Sequence, residues 1–239
     1  MLIVETLQAL MSPLDALALA VFLMAMLGYK LFTGRDSLMS RMSLVSAVQR
    51  QRVQWMLNMS RRDNRNMDVI LLSSLGQGNA FFASTTAIAI GGLAALLGSG
   101  ERAQVILERL PLVARSGAVL WEVKLLVIMA IFVFAFFKFA WAFRLAQYAS
   151  IMVGATPILT GENSADCDAH AERTAALTGL SAEHANGGLR AFYYAFAALA
   201  WFFHPVAFIV ATLWVMLILV RRDYFSRSRR LIAGTLLDV

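Results

Sequence analysis

The sequence predicts an all-α protein, a polytopic membrane bundle of about four transmembrane helices plus one amphipathic helix outside the membrane. Hydrophobic residues make up 59% of its 239 residues, charged residues make up 15%, and the mean hydropathy is +0.67. Soluble domains are far more polar than this. Several uncharged runs are also long enough to cross the roughly 30 Å hydrocarbon core of a bilayer. We therefore expect one membrane domain over residues 1–239.

The first span is predicted at residues 13–33. Ser12 and Asp15 fit an N-cap and an acidic first turn, and Pro13 occupies the first helical position. No Lys or Arg precedes the first apolar run. This run is therefore expected to stay in the protein as a span rather than to be removed as a signal peptide.

An amphipathic helix outside the membrane is predicted at residues 37–62. Its apolar positions recur imperfectly at helical spacing. Two arrangements fit this pattern: the helix packs on the bundle, or it lies on anionic lipid headgroups. Its basic side consists of Arg41, Arg50, Arg52, Arg61 and Arg62.

The second span, predicted at residues 69–97, carries a face of small residues. At about 100° per residue these side chains share one side of the helix for roughly 30 Å, which is the thickness of the bilayer core. Small residues let two helices approach closely. The face therefore predicts helix packing within the protomer or between protomers, with a homo-oligomer as a possible assembly. It consists of Ser73, Gly76, Ala80, Ala83, Ser84, Ala87, Gly91 and Ala94.

The third span is predicted at residues 119–142, between Trp121 and Trp141. Twenty helical residues separate these two tryptophans by about 30 Å, as expected for side chains at the two membrane interfaces. Lys124 and Lys138 are then expected to extend toward opposite interfaces. The polar stretch at residues 158–186 is predicted to be a loop that contains one short helix.

The last span is predicted at residues 191–220, with Pro205 near its middle. A proline there favours a kinked span, and a re-entrant hairpin is the alternative. The charges bear on this choice, because residues 30–65 contain eight Lys or Arg and residues 221–230 contain five. The positive-inside rule favours both segments in the cytoplasm, whereas four straight spans would separate them.

Polar residues near the membrane give two candidate sites. Asn79, Thr86 and His204 form a candidate intramembrane polar site, although hydrogen bonds between helices are the favoured explanation for them. Arg144 and Arg190 flank the last two spans and are a candidate site for lipid headgroups, with ordinary snorkelling as the alternative.

No metal, cofactor or catalytic residue is predicted. Cys167, His170 and His184 are of the types that bind transition metals, but their spacing matches no known metal motif. No P-loop, metalloprotease helix or nucleophile elbow is present, so an enzyme is not favoured. The net charge of +6 and the pI near 10.0 indicate contact with anionic headgroups of a lipid bilayer rather than with nucleic acid.

Several sequence blocks resemble a family of membrane proteins of unknown function found mainly in proteobacteria. They are residues 28–30 with the arginine-rich helix that follows, 79–87, 124–126 with the phenylalanine-rich run ending at 136–139, and 188–196. Family members often have histidine where this chain has Lys30. The resemblance implies a multi-pass protein of the bacterial inner membrane with about four spans, and it implies no activity.

These observations lead to two functional hypotheses. The first is a non-enzymatic scaffold or accessory protein that packs through the small-residue face of the second span. The alternative is a channel or small-solute transporter with a mid-membrane site near His204.

Overall fold

The computed structural model describes residues 11–32, 43–99, 101–109, 113, 117–160 and 162–234. These residues form helices joined by short connections, and no strand occurs among them. The prediction of an all-α bundle is therefore confirmed. In chain order the helices are α1 (Pro13–Phe32), α2 (Leu44–Ser60), α3 (Asn66–Gly98), α4 (Glu101–Glu108), α5 (Ala118–Gly154), α6 (Ser164–Leu199), a 3-10 turn (Ala200–Phe202), α7 (Pro205–Phe225) and α8 (Arg227–Ile232).

Three helical segments are long and apolar enough to cross a membrane: Asn66–Gly98, Ala118–Gly154 and Pro205–Ile232. A shorter apolar helix covers Pro13–Tyr29. Together they agree with the prediction of a membrane bundle with about four transmembrane helices.

The first span begins as its sequence predicts. The backbone N–H of Asp15 donates to Ser12 Oγ at 3.1 Å, and the Ser12 hydroxyl lies 2.6 Å from Asp15 Oδ2. This reciprocal pair satisfies a backbone donor that has no acceptor within the first turn. Its predicted last residue, Thr33, lies outside the described residues.

The amphipathic helix α2 packs on the helices around it. Met56 and Met59 are buried in one core cluster with Leu72 of α3, Ala149 of α5 and Ala175 of α6. Of the two predicted arrangements, the structure therefore has α2 on the bundle. Residues 37–42 of the predicted helix lie outside the described residues.

The prediction of a polar loop over residues 158–186 is wrong beyond residue 163, because Ser164 begins the 36-residue helix α6. Two of its threonine side chains are satisfied inside the helix. Thr174 Oγ1 donates to the His170 carbonyl and Thr178 Oγ1 to the Thr174 carbonyl. Packing of α6 against its neighbours overrides the weak preference of a polar sequence for a loop.

The prediction of one span over residues 191–220 is also wrong. The helix α6 ends at Leu199, a 3-10 turn follows, and Pro205 begins the separate helix α7. Proline is well suited to a first helical position, because a backbone N–H there would have no acceptor within the helix and its absence costs no hydrogen bond. The hairpin alternative also places a break near Pro205, but its two short halves are wrong, since the two helices are 36 and 21 residues long.

The chain divides into two compact units. The first contains Met1–Arg35, Thr86–Ala135 and Leu189–Val220, and the second contains Asp36–Thr85, Phe136–Gly188 and Arg221–Val239. The long helices α3, α5, α6 and α7 each contribute to both units. The single membrane domain over residues 1–239 stays a prediction.

The two basic segments of the chain meet in the second unit. There α2 contacts α8, and Gln51 Nε2 donates to the Ile232 carbonyl at 3.4 Å.

Candidate functional site

The small-residue face predicted on the second span lies on α3, and the protomer covers little of it. Gly76 is the tight contact: a Cβ placed there would lie 3.4 Å from Ala146 Cβ and 3.8 Å from Phe143 of α5. At Gly91 a Cβ would meet nothing within 4 Å. Ala80 and Ala83 are half-buried. The remaining members of the face are exposed, namely Ser73, Ser84, Ala87, Gly91 and Ala94.

The predicted intramembrane polar residues occupy unlike environments. Thr86 is buried and Asn79 is half-buried, both on α3. His204 is exposed, in the turn before α7, and its Nδ1 accepts a hydrogen bond from the Val206 N–H at 3.1 Å. His204 therefore caps the first turn of a helix, as Ser or Asp side chains do at other helices. It does not lie in the middle of a span.

Each predicted headgroup arginine stacks on a tyrosine of its own unit. Arg144 Cζ lies 5.6 Å from the ring centroid of Tyr148, and Arg190 Cζ lies 5.7 Å from that of Tyr29. Arg144 is exposed on α5, and Arg190 is half-buried on α6. Such stacking holds the plane of a guanidinium while leaving its edge N–H groups available. The headgroup role of these two residues stays a prediction.

Arg144 also borders an open groove of about 550 Å³ in the second unit. The groove runs between α3 and α5 and includes Ser73 and Gly76 from the small-residue face. Its walls are mainly apolar, with Gln77 and Gln147 among the polar groups. One end of the small-residue face therefore opens into a groove with an arginine at its edge.

A buried charged cluster in the first unit was missed by the sequence analysis. Trp201 Nε1 donates to Asp15 Oδ1 at 2.7 Å, and Lys124 Nζ lies 5.6 Å from the ring centroid of Trp201. The exposures of Asp15, Trp201 and Lys124 are 6%, 0% and 1%. The prediction that Lys124 extends to an interface is wrong, because its ammonium group is enclosed by the first unit.

This cluster links α1, α5 and the turn between α6 and α7. Its carboxylate receives donors on both oxygens, from Ser12 and Trp201. A buried charge is tolerated when it is hydrogen-bonded in this way. Because both carboxylate oxygens already accept hydrogen bonds, the arrangement is suited to holding α1 against the turn between α6 and α7. The sequence offered little indication of this cluster, because Asp15, Lys124 and Trp201 are far apart in the chain and each lies at the end of an apolar run or within one.

The residues considered for metal binding have other contacts. His170 Nε2 lies 2.8 Å from the Met152 carbonyl, and His184 Nδ1 lies 3.5 Å from Lys138 Nζ. Cys167 is buried, with its sulfur 3.9 Å from the Pro157 carbonyl. Within the part of the chain that the structure describes, no group of three or more His, Cys, Asp or Glu side chains could hold a metal ion.

Comparison with known proteins agrees with the resemblance seen in the sequence. No curated protein and no solved structure matches the chain. The family described as "Protein of unknown function, DUF599" matches residues 17–228, which include all four apolar helical segments in whole or in part. With most of its length matched, this multi-helix membrane protein belongs to that family.

Proposed function

We propose that this protein is a non-enzymatic scaffold or accessory protein of the bacterial inner membrane, and that it pairs with a second copy of itself through the exposed part of the small-residue face. The observation that carries the proposal is the burial of α3. Only 11% of its bilayer-length window is buried by the rest of the protomer. Five of the eight small residues on its predicted face are exposed.

The physical argument concerns what a helix gains from a neighbour in lipid. Lipid tails are as apolar as Leu side chains, so helices associate through close van der Waals contact rather than through the hydrophobic effect. Small residues allow that contact because the two backbones can approach each other. A second copy would supply the neighbour that α3 lacks within the protomer between Ser84 and Ala94.

Two further observations support this proposal. A transporter with a mid-membrane site near His204 is not favoured, because that residue lies in an exposed turn and caps a helix. The basic segments around α2 and α8 are in contact. The positive-inside rule then favours the cytoplasm for both of them, as expected of an inner-membrane protein.

The test uses two neighbouring glycines of α3. Gly91 lies on the small-residue face, whereas Gly92 points about 100° away from it at the same depth. Neither would meet another atom of the protomer within 4 Å if it gained a Cβ. We expect Gly91→Leu to weaken self-association by about 1–3 kcal/mol through overpacking, which raises the dissociation constant roughly 5- to 150-fold. Gly92→Leu should leave it unchanged.

The measurement is the monomer–dimer equilibrium of the full chain in liposomes, followed by energy transfer between labelled copies as the lipid-to-protein ratio is varied. Unchanged thermal unfolding of both variants in detergent would show that the protomer is intact. Equal loss of association in Gly91→Leu and Gly92→Leu would contradict the proposed face. A wild-type protein that stays monomeric at all ratios would refute the proposal.

A further inference from the structure

A second open cavity lies in the second unit, and its charged lining residues are Arg52, Arg222 and Asp223. Its volume is about 270 Å³. Arg52 and the first turn of α2, at Leu44 and Val45, form one wall, while Asn186 of α6 and Arg222 of α7 form the other. We call it the arginine cavity. None of its residues belongs to the small-residue face or to the predicted headgroup pair.

Arg52 brings a positive charge to this cavity, and the carboxylate among its described lining residues, Asp223, is paired with Arg222 rather than with Arg52. Its Nη1 donates to Gln49 Oε1 at 3.3 Å. Among the described residues it forms no ion pair. Burial lowers the pKa of Arg52, which reflects a guanidinium partly removed from water. An arginine nevertheless keeps its proton in proteins, so the charge remains and favours an anion beside it.

The rest of the lining adds hydrogen-bond donors but no further net charge. Arg222 Nε is paired with Asp223 Oδ1 at 2.9 Å, so this second guanidinium is already neutralised and its other N–H groups can still donate. The amide of Asn186 supplies a neutral donor.

The α2 helix also starts at the cavity. Ser43 Oγ accepts from the Ser46 N–H, which leaves the N–H groups of Leu44 and Val45 without acceptors inside the helix. The positive end of the helix dipole therefore lies at the same wall.

We infer that the arginine cavity binds a phosphate group. Guanidinium groups and the N–H groups at a helix start are the donors that proteins commonly use for phosphate oxygens. The volume leaves room for a substituent on the phosphate, and Leu44, Val45 and Val48 provide an apolar wall for it. The phosphate could belong to an anionic phospholipid or to a soluble phosphate compound.

The test compares Arg52→Leu with Arg50→Leu in the purified full chain. Arg50 lies on the same helix, is exposed, and donates to Ser46 Oγ without lining the cavity. Both variants lose one positive charge from α2. We expect Arg52→Leu to weaken phosphate binding about tenfold or more, as loss of a charge-assisted contact does. Arg50→Leu should stay within about twofold of the wild type, since an exposed charge contributes little.

Two probes distinguish the sources of the phosphate. Inorganic phosphate is titrated in neutral detergent by calorimetry, and phosphatidylglycerol is compared with phosphatidylcholine by native mass spectrometry of the protein released from nanodiscs. Binding of phosphatidylglycerol alone, sensitive to Arg52→Leu, supports a lipid headgroup. Binding of inorganic phosphate with the same sensitivity supports a soluble compound.

Three results would overturn the inference. One is binding of neither probe by the wild type. Another is an equal loss in Arg52→Leu and Arg50→Leu, which would indicate general charge attraction. The third concerns Asn186→Leu, which replaces the amide donor on the α6 wall and serves as the test variant if Arg52→Leu fails to fold. Unchanged phosphate binding in Asn186→Leu would refute a site in this cavity. The inference does not depend on self-association through α3, so either can fail without the other.

Discussion

The helices α3 and α5 are both long and apolar enough to cross a membrane, but the protomer encloses them very differently. The other helices bury 39% of the bilayer-length window of α5 and 11% of that of α3. The sequence feature that most suggests close packing, the small-residue face, lies on the less buried helix. Apolarity thus identified both helices as spans, whereas it carried no information on which of them the protomer is built around.

The largest expected effect comes from truncating the same residue type on each helix. Ile128 of α5 is 0% exposed and Ile88 of α3 is 76% exposed. We expect Ile128→Ala to lower the free energy of unfolding by about 2–4 kcal/mol, because it leaves a cavity among packed neighbours. Ile88→Ala should change it by less than about 0.5 kcal/mol. Unfolding in mixed micelles at increasing concentrations of a denaturing detergent measures both changes. Similar losses in the two variants would contradict the difference in burial between α5 and α3.

A smaller change in the free energy of unfolding is expected from adding one methyl group at a glycine that faces α5 and at a glycine of α3. The two changes should have opposite signs. A Cβ at Gly188 would lie 2.8 Å from the ring of Phe139, which is buried on α5 and stacked on Phe82. Gly188→Ala should therefore destabilise the protein by about 1–3 kcal/mol.

Gly92→Ala on α3 is the matched control for this change. A Cβ there meets no atom of the protomer within 4 Å. Replacing a helical glycine by alanine should then stabilise the protein by about 0.5–1 kcal/mol, since it reduces the freedom of the unfolded chain. The same unfolding assay applies, and a destabilising Gly92→Ala would show that α3 has a neighbour in the assay.

The smallest expected effect is a pH dependence where α6 meets α5. Burial, and then the positive charge of Lys138, lower the pKa of His184 below its ordinary value of about 6.5. The unfolded chain therefore takes up this proton at a higher pH than the folded protein does. Stability should be constant above about pH 7.5 and should fall as the pH drops through 6.5 toward 5.

Thermal unfolding in detergent between pH 8 and pH 5 measures this effect. His184→Gln should lose part of the acid-induced decrease in unfolding temperature. The other two histidines, His170 and His204, remain as an internal background in both proteins. An identical pH profile in the two proteins would contradict a lowered pKa of His184 in the folded protein.

The sequence predicted those parts of the fold that depend on local pattern. The Ser12 cap, the apolar helices α1, α3 and α5, and the all-α class all follow from composition and from signals within one or two helical turns. For α3 the predicted start and the observed start differ by three residues. Such features need no knowledge of which helices become neighbours.

Features that depend on long-range neighbours were not predicted. The α6 helix was missed because its threonine hydroxyls reach their backbone acceptors only once the helix has formed. The pairing of Asp15 with Trp201 was missed because neither residue is unusual at its own position. Likewise, the exposure of His204 depends on where the apolar run breaks, and the sequence left that choice open.

The Asp15–Trp201 hydrogen bond also sets an order for biosynthesis. Its two residues are 186 positions apart in the chain. At roughly 5–20 residues per second, a ribosome needs about 10 to 40 s to add the tryptophan after the aspartate. During that interval the carboxylate at the start of α1 lacks the indole N–H that donates to it in the folded protein. A nascent chain released before residue 201 therefore lacks the hydrogen bond that holds its own first helix.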